Sequence, residues 1–267
     1  MIDTYLLTTF LGVVIGAVLG LTGAGGAVLS VPFLGIFLHL DIANAAPIGL
    51  VAVTISSWIG SALALRAGVL RYKAALLMAG VGLIFSPVGM WVAHQLPNWP
   101  LVILFVAILL LVAKNMWQKS HPHADQSHQL PPCRLDQQIG KLHWSMPCAR
   151  AMVFSGALAG FFSGLLGVGG GFIIVPALRK FTDLPMKSII ATSMGVLSLV
   201  SLGGVVFSSF YGSMNWSIAV PFSVGAVIGL LVGRHFVKKL SESLIQRGFA
   251  LLAVLVALAM LMKLVDL

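Results

Sequence analysis

Short polar breaks cut the chain into ten apolar runs, and this pattern restricts the possible folds more than any other feature. The runs cover approximately residues 4–22, 26–38, 44–65, 74–94, 98–116, 148–166, 170–178, 188–209, 216–236 and 245–264. Most of them approach the roughly 20 residues a helix needs to cross the hydrocarbon core of a bilayer. Only 9% of the 267 residues are charged, against about 25% in an ordinary soluble domain. Water therefore cannot be the solvent for most of the chain. In lipid a helix is favoured because it pairs all its own backbone groups. The expectation is an all-α polytopic membrane protein whose first partner is the lipid bilayer. Met1-Ile-Asp-Thr-Tyr5 lacks the basic start of a cleaved signal peptide, so the first run is expected to be a retained helix.

One long polar stretch, 117–147, separates two sets of five runs. This gives a first transmembrane repeat over 1–116, a His-rich linker over 117–147 and a second transmembrane repeat over 148–267. The two sets are related at a constant offset of 144. Gly20-Leu-Thr-Gly-Ala-Gly-Gly-Ala-Val-Leu-Ser-Val-Pro32 lies over Gly164-Leu-Leu-Gly-Val-Gly-Gly-Gly-Phe-Ile-Ile-Val-Pro176, and ten of 21 positions from Gly20 to Leu40 are identical. Gly60 and Gly204, Gly68 and Gly212, and Gly89 and Gly233 keep the same offset. Chance would give roughly two or three matches in such a window, so duplication is the economical reading.

The net charge of +9 would suggest nucleic-acid binding in a soluble protein; here its use is to orient the spans, and no nucleic-acid partner is expected. Lys and Arg fall at Arg66, Arg71 and Lys73, at Lys114 through Arg150, at Arg179 through Lys187 and at Arg234 through Arg247. The alternating connections 39–43, 95–99 and 210–215 contain none. If every run reverses direction, all basic loops share one side. The positive-inside bias makes that side the cytoplasm of a cell inner membrane, with both termini outside. Lys263 is the one cation on the wrong side. Equivalent loops carry opposite charge character and each set has an odd number of runs, which predicts two inverted-topology repeats of five helical segments. Runs two and seven are too short for a full crossing and are expected to be half-helices that follow Gly-rich turns. The oligomeric state is left open.

Gly23, Gly25 and Gly26 in the first half, and Gly167, Gly169, Gly170 and Gly171 in the second, are the candidate substrate-binding residues. A half-helix starting after such a turn directs its free N–H groups and positive dipole end toward whatever lies in front of it. Two such ends across a repeat interface would hold a small anion. The competing reading is that the glycines only let helices pack closely. Thr192 and Ser193 add two hydroxyls near the start of run eight, able either to cap the helix or to donate to an oxyanion. Asp3, Asp41, Asp125, Asp136, Asp183, Glu242 and Asp266 all fall at ends or in loops, which argues against a cation carrier built on intramembrane carboxylates. No cofactor motif and no nucleophile–base constellation is visible, so no enzyme activity is expected. His121, His123, His128 and His143 with Cys133 and Cys148 offer an alternative, a transition-metal ion transporter using the linker, but no tight ligand spacing supports it. The two cysteines suggest no disulfide framework. Trp91, Trp99, Trp117, Trp144 and Trp216 mark span ends, and Trp58, alone inside a span, is expected in the core.

At Gly164–Pro176, followed by Ala191-Thr-Ser-Met194, the sequence resembles the second-half signature of the sulfite exporter TauE/SafE family of membrane transporters. The first half departs from it: Ala27 replaces the last glycine of the run, and Pro47-Ile-Gly49 stands where Thr-Ser occurs in the second half. The resemblance covers about Leu6 to Leu264, without the 117–147 loop. It implies transport of a sulfur-containing anion, such as sulfite or an organosulfonate, by a secondary carrier or facilitator.

Overall fold

The computed structural model describes residues 2–23, 25–119, 133, 135–136, 141–142, 145–210, 214–236 and 242–265. They form ten helices: α1 (Ile2–Thr22), α2 (Gly25–Leu38), α3 (Ile42–Arg66), α4 (Tyr72–Gln95), α5 (Asn98–Lys119), α6 (Met146–Leu166), α7 (Gly171–Phe181), α8 (Met186–Phe210), α9 (Trp216–Phe236) and α10 (Glu242–Val265). Within the linker, Leu135–Asp136 (β1) and Lys141–Leu142 (β2) pair antiparallel. Eight helices are long and apolar enough to cross a membrane; α2, with 14 residues, and α7, with 11, are not. The outer surface is apolar: Phe210 is 84% exposed and Ile84 71%. Exposed apolar surface on this scale fits helices that face lipid rather than water.

Helices far apart in the chain meet through glycine. A Cβ placed on Gly12, Gly16 or Gly20 of α1 would strike the backbone of Phe222, Ala226 or Leu230 on α9, and one on Gly156, Gly160 or Gly164 of α6 would strike Met78, Gly82 or Ser86 on α4. Small residues let backbones approach closely, which is how helices bind one another where no hydrophobic force separates protein from solvent. In both pairs the numbers rise together, so α1 runs parallel to α9 and α4 parallel to α6. Each contact of the first set becomes one of the second when 144 is added to one member and subtracted from the other. The same exchange turns Gly60 against Met194 into Gly204 against Leu50. Those two contacts fix α3 antiparallel to α8, its own counterpart in the duplication. The sequence halves are thus not the packing units, because the main seams α1–α9, α4–α6, α3–α8 and α5–α10 all join one half to the other.

Side-chain contacts sort the loops by face. On one face the Arg71 N–H donates to Thr192 Oγ1 at 3.2 Å, Arg234 Nη1 donates to the Gly60 carbonyl at 3.2 Å, and Cys133 pairs with Thr182. The α3–α4, α5–α6, α7–α8 and α9–α10 ends therefore lie together, and these are the basic ones. On the other face Asn98 reaches both Asp41 Oδ1 and the Ile42 N–H, joining the α2–α3 and α4–α5 turns. Lys263 is on that second face for a structural reason: its Nζ donates to the Gly35 carbonyl at 2.7 Å, near the C-terminal end of α2. A cation is favourable at that dipole end. The counterpart helix α7 carries its own cations, Arg179 and Lys180, in its last turn. Replacing Lys263 by Met should cost about 1 kcal/mol, a figure already reduced for its partial exposure, and lower the thermal midpoint in detergent by a few degrees.

Two expectations are corrected. Cys133 and Cys148 form a disulfide with Cα atoms 5.0 Å apart. The Cys133 N–H donates to the Phe181 carbonyl at 3.0 Å, so the middle of the linker docks at the C-terminal end of α7, where Cys133 meets Cys148 of the first turn of α6. Cysteine spacing could not reveal a pairing that depends on where the linker docks. Trp58 is 55% exposed, not in the core, because it lies on the outward side of α3.

Candidate functional site

Each Gly-rich turn breaks a helix and sends the chain back on itself. In the second half Gly167 (φ 70°) caps α6, and Gly169 (φ 69°) and Gly170 (φ 72°) are also left-handed before α7 starts at Gly171. Three such residues close together need glycine, because a side chain there costs roughly 1–2 kcal/mol each. In the first half Gly23 (φ 77°) ends α1, and Gly25 opens α2. A Cβ on Gly26 would lie 2.3 Å from the Leu19 nitrogen, so α2 folds back on α1 as a hairpin. Both short helices double back on the helix before them, and they touch each other.

The leading glycines do not meet. Gly23 packs on Ile190, one turn into α8, and Gly167 packs on Ala46, one turn into α3. Since α3 and α8 are antiparallel, these two positions are at opposite ends of the pair. The later glycines reach inward. A Cβ on Gly169 would lie 2.6 Å from Leu197 Cδ2, 2.8 Å from Ser201 Oγ and 3.2 Å from Val53 Cγ1. Val53 and Leu197 are near the middle of α3 and α8, so the second turn delivers the N-terminus of α7 to the centre of the α3–α8 crossing.

The hydroxyls there are unusual. Serine and threonine inside a helix normally bond a carbonyl one turn back. Thr54 bonds Leu50, Ser155 bonds Ala151, Ser198 bonds Gly195 and Ser223 bonds Ala219, at 2.6–2.8 Å. By contrast Ser56, Ser57 and Ser201 are fully buried and their hydroxyls have no hydrogen-bond partner among the described residues. Ser86 and Ser163, on α4 and α6, share that condition. A buried polar group without a partner costs about 1–3 kcal/mol, so such groups call for an explanation. Ser57 and Ser201 occupy equivalent positions of the duplication and flank the midpoint of the crossing, and Ser201 points at the Gly169 turn. Sequence reasoning missed both, although identical serines three residues before Gly60 and Gly204 were visible at the offset of 144.

Of the two roles open to Thr192 and Ser193, capping is excluded. Helix α8 already starts at Met186, so neither residue caps it. Ser193 Oγ donates to the Ile190 carbonyl at 2.8 Å, and Thr192 Oγ1 accepts the Arg71 N–H. Both lie toward the basic face, about two turns from Ser201. Among the described residues no Asp, Glu, Lys, Arg or His is buried. A groove of about 530 Å³ between α5 and α10, lined by Leu110, Trp117, Leu251 and Val254 among others, shares no residue with the turns. The loop residues His121, His123, His128 and His143 lie outside the described residues.

Eight helices long and apolar enough to span a bilayer, with two short helices that follow Gly-rich turns, define a multi-pass membrane protein. The sulfite exporter TauE/SafE family model matches residues 8–260, and the chain belongs to that family. A probable membrane transporter protein of Xylella fastidiosa (strain 9a5c) is 29% identical, over 96% of this chain and 95% of its own length. The probable membrane transporter protein YunE of Bacillus subtilis (strain 168) is 26% identical, over 91% and 92%. The probable membrane transporter protein MJ0441 of Methanocaldococcus jannaschii is 31% identical, over 75% and 70%.

Proposed function

We propose that this transporter carries a small sulfur-containing oxyanion, such as sulfite or an organosulfonate, and binds it where the two glycine turns converge on the α3–α8 crossing. The observation that carries the reading is the unpartnered Ser201 hydroxyl directed at Gly169, beside the N-terminus of α7. Peptide N–H groups at Gly169, Gly170 and Gly171 and the hydroxyl would donate to the anion, as helix N-termini do for phosphate and sulfate. Gly25, Gly26 and Ser57 would contribute equivalently from the first half. Gly23 and Gly167 shape the turns, while Thr192 ties α8 to the start of α4 and Ser193 bonds within α8. The family name supplies sulfite as the substrate class.

In this reading the halves are inverted-topology repeats, supported by the antiparallel run of α3 and α8. By its cations the basic face, with the 117–147 linker, is cytoplasmic in an inner membrane and both termini are outside, although the Cys133–Cys148 bridge on that face is of a kind rare in a reducing cytoplasm. The site is closed, since Leu197, Ser201 and Val53 crowd Gly169. Access therefore requires α7 or α2 to shift against the α3–α8 pair, a smaller movement than rocking two interlocked halves. Purified protein in liposomes should carry sulfite or an alkanesulfonate well above empty vesicles. Flux of neither, with protein shown to be inserted and monodisperse, removes the proposal.

A further inference from the structure

The site has polar donors but no ionised side chain, and that imposes a limit on the charge of its ligand. We infer that the site selects singly charged oxyanions and rejects dianions; this rests on the binding site proposed above. The cost of moving an ion out of water grows with the square of its charge, so a dianion pays roughly four times what a monoanion of the same size pays. Attraction to fixed dipoles and hydroxyls grows only in proportion to charge. Each helix N-terminus acts as roughly half an elementary positive charge. Two of them, α2 and α7, supply about one, enough to balance a monoanion and half of what a dianion needs.

The ionisable groups on the packed helices lie toward the helix ends; Arg234 of α9 sets its guanidinium on the Gly60 carbonyl, seven residues from Val53 and thus about 10 Å along α3. On α7, Arg179 and Lys180 lie in the last turn, at the opposite end from Gly171. On α3 the cation is the terminal Arg66, and on α8 it is Lys187, next to the first residue. Arg71, the half-buried cation ahead of α4, is held by its backbone at Thr192, nine residues from Ser201 and thus about 13 Å along α8. His94 bonds the Met90 carbonyl near the end of α4. None of these is among the residues buried around Gly169.

The test uses the full-length protein in liposomes with three anions. Methanesulfonate is a monoanion at any working pH, sulfate is a dianion, and sulfite passes from one to the other near neutral pH. The expected result is pH-insensitive methanesulfonate flux and sulfate flux at least a hundredfold lower. At fixed total concentration, sulfite flux should fall about tenfold per pH unit above its second ionisation, following the monoanion. Sulfate flux within tenfold of methanesulfonate, or sulfite flux rising with the dianion, overturns the inference and leaves the transport proposal standing. Flux of none of the three overturns the transport proposal itself.

Discussion

Gly169→Ala should leave a folded, membrane-inserted protein that has lost roughly a hundredfold in anion flux, equivalent to about 2.7 kcal/mol. The new methyl group would meet three side-chain ends, Leu197 Cδ2, Ser201 Oγ and Val53 Cγ1, all of which can shift. The fold therefore survives, but the methyl occupies the space in front of α7 and pushes the Ser201 hydroxyl aside. Gly68→Ala is the matched control. Gly68 has the same left-handed backbone (φ 69°), and an added Cβ there would have nothing within 4 Å, so the variant bears the backbone strain without touching the site. It should lose about 1 kcal/mol of stability and keep its flux. Equal flux loss in both variants would show that strain, and not the site, explains the effect.

Gly160→Leu should instead prevent folding. A Cβ at residue 160 would lie 2.1 Å from the Gly82 carbonyl oxygen, and no rotamer change moves a helix backbone. Forcing α4 and α6 apart should cost at least about 3 kcal/mol, enough to leave little monodisperse protein on size exclusion after detergent extraction. Gly16→Leu, its counterpart against Ala226, should behave alike. Gly80→Leu and Gly248→Leu, where nothing lies within 4 Å, should change stability by no more than about 0.5 kcal/mol. If Gly160→Leu were recovered intact at normal yield, the close α4–α6 seam would be wrong.

These two substitutions separate the two uses of glycine between which the sequence left the choice open. Gly12, Gly16, Gly20, Gly156, Gly160 and Gly164 serve packing, and Gly169 and Gly170 serve a turn at the centre of the bundle. In the sequence both kinds read as small residues in apolar runs. The charge pattern was more informative: the face-sharing of the basic loops was legible in the alternation of Lys and Arg, and only Lys263 needed the structure to account for it. The candidate site was half legible. The turns were found from their glycines, whereas Ser57 and Ser201 were passed over because a serine in an apolar helix ordinarily satisfies itself. Only the hydrogen-bond geometry distinguishes Ser201 from Ser198.

The sequence alone determined that this chain lives in lipid, how many helices it forms and where they end, each boundary falling within three residues of its apolar run. Those properties are local, because an unpaired backbone group in hydrocarbon is so costly that hydropathy dictates helix limits directly. Only the tertiary structure decided which helices touch, that the halves interlock, that Cys133 meets Cys148, and that the second turn reaches the middle of the α3–α8 crossing. Those outcomes depend on shape matching between residues as distant as Gly12 and Phe222, and many small-residue surfaces fit one another nearly as well until the whole bundle is assembled.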